Sequence, residues 1–115
     1  MNDYKFEIEV DGKKYTMYFN LNVMEEIQEK YGTISKWGNL TDKASGEPDI
    51  QALIFGYTAM INEGIEIENE TAEVKKPLLT KKQVGRLITK MGVESSTQKL
   101  NDAIIESVKN EEKNA

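Results

Sequence analysis

The side chains able to do chemistry in this chain are carboxylates, amines and hydroxyls, because its 115 residues include no histidine and no cysteine. That inventory removes the commonest general base, the commonest transition-metal ligand, thiolate zinc sites and disulfide scaffolds. The serines Ser35, Ser45, Ser95, Ser96 and Ser107 have no histidine to activate them. Glu25 and Glu29 stand four residues apart, a spacing that on a helix surface marks a solvated face rather than an acid/base pair. Glu63, Glu66, Glu68, Glu70 and Glu73 lack the Asp/Asn alternation and central glycine of a calcium loop. Catalytic, cofactor-binding and metal-binding residues are therefore expected to be none. An enzyme is the last choice.

Charge sets a second bound. Six basic residues (Lys75, Lys76, Lys81, Lys82, Arg86 and Lys90) fall together with no acid among them, inside a chain of net charge −5. The run is almost all lysine, has no interleaved aromatics and sits on an acidic protein, which argues against nucleic acid as partner. It suits docking on an acidic protein surface, or simple solvation. The N-terminus reads as a charged strand rather than an apolar leader, so a cytoplasmic protein with no membrane segment is expected.

The elements that would hold these residues are organised round one stretch, Pro48 to Gly64. Pro48 suits a first helical turn, Asp49 the positive end of the dipole, and Gly64 a left-handed stop. Ile50, Leu53, Ile54, Tyr57 and Ile61 form one helical stripe, yet the opposite side, with Ala52, Phe55, Gly56 and Ala59, is not polar either. Such a helix is enclosed by its own chain or faces a partner. Tyr18 and Trp37 add to this apolar surplus, and aromatics of this kind are enriched at interfaces. Tyr18, Trp37, Ala52, Phe55 and Ala59 are thus the candidate protein-binding residues; cover by the other helices is the alternative.

Ahead of that stretch, residues 4–10 alternate apolar and charged, Asp11-Gly12 signals a two-residue turn, and residues 13–19 return. The turn would pair Ile8 with Tyr15, Phe6 with Met17 and Tyr4 with Phe19 on one face. Glu9 would meet Lys14, Glu7 Thr16 and Lys5 Tyr18 on the other. The hairpin's outer edges would be open to a strand from another subunit. Asn22 with Glu25 reads as the cap of a helix carrying Val23, Met24, Ile27 and Tyr31 inward and ending at Gly32. Residues 33–40 read as a connector or extra turn. Thr80 with Gln83, and Ser95 with Gln98, read as capping boxes. The first opens a helix with Val84, Leu87, Ile88 and Met91 inward; the second opens one with Leu100, Ala103, Ile104 and Val108 inward. The expected fold is α+β: an N-terminal β-hairpin followed by about four α-helices packed round a central apolar helix. It would be a single domain over 1–109, with 65–76 a mobile acidic loop and 110–115 a disordered tail.

In this order the elements resemble the tail assembly chaperones of long-tailed phages and prophages. The likeness is carried by Asp11 to Tyr15 running into Phe19 to Gly32, by Ile50 to Ile61, and by Pro77 to Ile88 with its Thr80, Val84, Leu87 and Ile88. The resemblance implies a non-enzymatic assembly factor of the bacterial host cytoplasm, absent from the mature virion. Its implied partners are the tape measure protein and the tail-tube protein, with self-association also implied. It identifies no single binding residue. Two other readings stay open: a small structural tail-completion or connector subunit, and an acidic protein-binding regulator.

Overall fold

A computed structural model describes residues 5–42 and 46–114. Strands β1 (Lys5–Val10) and β2 (Lys13–Tyr18) form an antiparallel hairpin, followed by helices α1 (Leu21–Tyr31), α2 (Ile34–Thr41), α3 (Ile50–Asn69), α4 (Lys81–Met91) and α5 (Val93–Asn114). The fold is α+β, as the sequence leads one to expect, with α2 making a fifth helix from the expected connector.

The hairpin register is the expected one: Ile8 faces Tyr15, Phe6 faces Met17, Glu9 faces Lys14, Glu7 faces Thr16 and Lys5 faces Tyr18. Asp11 (φ 53°) and Gly12 (φ 79°) are both left-handed, the backbone a tight primed turn requires. The Tyr4–Phe19 pairing lies outside the described residues. Because Val10 and Lys13 flank the two-residue turn, Glu7 and Thr16 form a non-hydrogen-bonded pair whose backbone groups point away from the partner strand. On β2 they point at α3. A Cβ built on Gly64 would lie 2.1 Å from the Thr16 carbonyl oxygen, so α3 rests directly on the β2 backbone there.

That contact corrects the reading of Gly64 as a stop. The helix runs through it to Asn69, five residues into the stretch expected to be a loop. The remainder of that stretch is strapped down. The Asn69 amide exchanges two hydrogen bonds with the Lys76 backbone, both 2.9 Å. Asn62 does the same for Leu79, at 2.9 and 3.0 Å. Seven helical residues rise about 10.5 Å, and three extended residues span about 10 Å, so two turns of α3 match the run from 76 to 79.

Other boundaries shift for local reasons. Asn20, not Asn22, caps α1 by accepting from the Val23 N–H, and both asparagines donate to Glu63. Asp49 caps α3 by accepting from the Ala52 N–H, which leaves Pro48 outside the helix. The Thr80–Gln83 capping box opens α4 as expected. The Ser95–Gln98 box does not form. Instead α5 starts at Val93, with the Ser96 N–H already bonded to the Gly92 carbonyl, and Gln98 bonds Asp102. The same helix continues through 110–114, where a tail was expected.

The core lies between the hairpin and α3. Met17, Val23, Ile27, Trp37, Leu53, Tyr57, Met60, Val84 and Leu100 are buried within it. The Trp37 indole stacks on Phe19 with ring centroids 6.1 Å apart and donates its N–H to the Ala52 carbonyl at 3.0 Å. Gly56 makes room for it, since a Cβ there would come within 2.3 Å of the indole. Among the described residues no helix is long and apolar enough to cross a membrane.

Candidate protein-binding surface

The apolar far side of α3 meets α1 and α2, and this decides the candidate residues. Trp37 and Ala52 have no exposed surface and Ala59 almost none. Trp37 and Ala52 belong to the core because α2 lays its indole across Ala52 and Gly56, and Ala59 lies in the same core beneath the groove beside Phe55. Phe55 and Tyr18 stay partly open. The Tyr18 ring leans on α3 at Gly64, on the opposite end of the helix from Trp37. The five candidates therefore do not form one patch.

Phe55 is the candidate that keeps a functional setting. It lies in a shallow groove of about 300 Å³ between α1, α3 and the start of α4, lined by Glu26, Lys30, Thr58, Ala59 and Lys81. Tyr31 meets the Phe55 ring edge-on at 5.6 Å, and the Lys30 ammonium stands 5.0 Å over its face. The exposed Phe55 edge is thus an apolar strip between charges of both signs. Burial pushes the Glu26 carboxyl above its ordinary range, helped by repulsion from Glu63, Glu66, Glu25 and Glu29. That cluster gives the α1 side of the groove a negative field.

A second groove, of about 330 Å³, opens on the other flank of α3. Ile50, Ile54, Ile88 and Val93 line it, with Lys82 and Arg86 at its lip. Ile50 is 49% exposed and Val93 39%, large values for branched aliphatic residues. Sequence reasoning put Ile50 and Ile54 on the helical stripe of α3 and gave Val93 no role, so it missed this site. The signal available was Ile50 at the first helical position, where a stripe runs out of neighbours.

Among the described residues, no group of histidine, cysteine, aspartate and glutamate is arranged to hold a metal ion. The most perturbed phenol, Tyr57, is raised by burial and donates to the Ser96 carbonyl at 2.8 Å, a structural bond joining α3 to α5. No protein-family model, curated protein or solved structure matches the chain.

Proposed function

We propose that this protein is a tail assembly chaperone of a long-tailed phage or prophage. It would bind the tape measure protein and hold its apolar helices in solution while tail-tube subunits polymerise around it. The observation that carries the reading is the order of hairpin, α1, apolar α3 and capped α4, with the three stretches that resemble that family. Two open apolar grooves beside one largely buried helix suit such a partner, because exposed apolar surface rimmed by charge is what protein interfaces use. The role is binding in the host cytoplasm, without turnover.

Co-expression with a tape measure protein, which the reading expects to be encoded beside it, tests the reading, followed by pull-down and light scattering. The expected result is that the long protein becomes soluble and travels with this chain, and that Phe55→Asp reduces its recovery. If the long protein stays insoluble while this chain elutes alone as a closed ring, the chaperone reading fails. A connector subunit then takes its place.

A further inference from the structure

Three glycines inside the helices α3 and α4 separate packing from another purpose. Glycine in a helix interior is costly relative to alanine. Gly56 and Gly64 are required by the fold, because a Cβ would strike the Trp37 ring or the Thr16 carbonyl oxygen. Gly85 is different. A Cβ there would meet only the Ile54 Cδ1, at 3.6 Å, an ordinary contact. No neighbour excludes a Cβ at 85. What the missing side chain leaves is the floor of the groove between α3 and α4, among Ile50, Ile54, Ile88 and Val93.

The lip of that groove is charged in one sense. Of the six cations between residues 75 and 90, three are used inside the chain. The Lys75 ammonium donates to the Asn69 and Ala72 carbonyls. Lys76 pairs with Glu68 and Lys90 with Asp11. Lys81, Lys82 and Arg86 make no ion pair among the described residues. Lys82 and Arg86 stand one helical turn apart beside the aliphatic floor. From Lys82 to Thr89 the groove follows α4 for about 10 Å, room for two turns of a second helix.

We propose that this trough docks an amphipathic helix of a partner protein, with aliphatic side chains seated over Gly85 and glutamates or aspartates along the edge facing Lys82 and Arg86. The inference deepens the chaperone reading and rests on it for the helix belonging to a second protein. A flat polyanion would satisfy the two cations but leave the isoleucine floor wet. A helix with one acidic edge satisfies both.

The test uses the full chain and two labelled peptides of about 20 residues, beyond the length at which isolated helices are marginal in water. Both carry leucine at i, i+3, i+4 and i+7; one has glutamate along the flank and the other lysine. The glutamate peptide is expected to bind about tenfold tighter or better. Gly85→Leu should weaken it about tenfold while the melting temperature holds, since its Cβ meets only the end of the Ile54 side chain and the position lines the open groove. Lys82→Glu with Arg86→Glu should reverse the peptide preference, which keeps the test valid if Gly85→Leu folds poorly. Equal binding of the two peptides, or unchanged binding by both variants, overturns the proposal. So does a wild-type oligomer that Gly85→Leu breaks into monomers, because the trough would then be a contact between copies. A long partner kept soluble by wild type and Gly85→Leu alike sinks the trough alone; a partner that wild type cannot keep soluble sinks the chaperone reading.

Discussion

Gly64→Ala and Gly85→Ala are the same chemical change in two helix interiors, and the structure gives them opposite signs. Each removes the same conformational freedom from the unfolded chain and gains about 1 kcal/mol of helix propensity. At Gly85 nothing opposes that gain, so the variant should be more stable by up to about 1 kcal/mol. At Gly64 the new carbon would sit 2.1 Å from the Thr16 carbonyl oxygen. Carbon–oxygen contacts of this kind settle at about 3.3 Å or more, so α3 and β2 must part by about 1.2 Å. The obstacle is backbone held by the hairpin ladder and cannot rotate aside. Overpacking of this severity costs about 3 kcal/mol or more, leaving a net loss of about 2 kcal/mol. At about 2.1 cal/mol/K per residue of unfolding entropy, 1 kcal/mol moves the midpoint by about 4 °C in a chain of this length. The two variants should therefore melt about 12 °C apart, followed by the fluorescence of buried Trp37. A Gly64→Ala protein as stable as Gly85→Ala would refute the direct seating of α3 on β2.

The other expectations follow from named contacts. Asn62→Ala leaves the Leu79 N–H and carbonyl without their partners and should cost about 2 kcal/mol, read by urea denaturation, with increased proteolysis between α3 and α4. Glu26→Gln should stabilise at neutral pH, because the folded state raises the Glu26 pKa and so disfavours its charged form. The native state then binds the proton more tightly and stability falls as pH rises, so the advantage of the glutamine should vanish as pH drops below the ordinary carboxylate range of about 4.3, in melting curves taken across that window. Trp37→Asp would place a carboxylate against Phe19 and Gly56 with no exposed surface, and should abolish cooperative unfolding by circular dichroism instead of merely weakening binding.

What could be read from the sequence was what local chemistry decides. Asp11-Gly12 fixed the turn, the turn fixed the register, and alternation then told which face was buried. Thr80 and Gln83 are three residues apart, so their reciprocal cap needs no tertiary information. The failures share the opposite property. Gly64 looks like a stop because glycine usually ends a helix, but here its reason is a carbonyl oxygen 48 positions earlier in the chain. Asn62 and Asn69 look like ordinary polar positions until the extended run that they clamp is in view. Trp37 and Ala52 look like surplus surface because the indole N–H and the Ala52 carbonyl can be matched only once α2 is placed.

The same distinction bears on where function lies. Residues held by long-range constraints, such as Gly56, Gly64 and Trp37, explain themselves through the fold and leave nothing over for a partner. The residues left over are those whose types the fold does not require: a helix-interior glycine with space above it, an isoleucine half in water, and cations with no carboxylate partner among the described residues. Gly85, Ile50, Lys82 and Arg86 meet these descriptions and line one groove. Scattered exposed aliphatics such as Leu21 and Val74 meet only one. An exposed leucine alone is ordinary on any protein surface. An unfilled floor, an apolar wall and a single-signed lip in one place need a common cause, and a docked helix with an acidic edge supplies it.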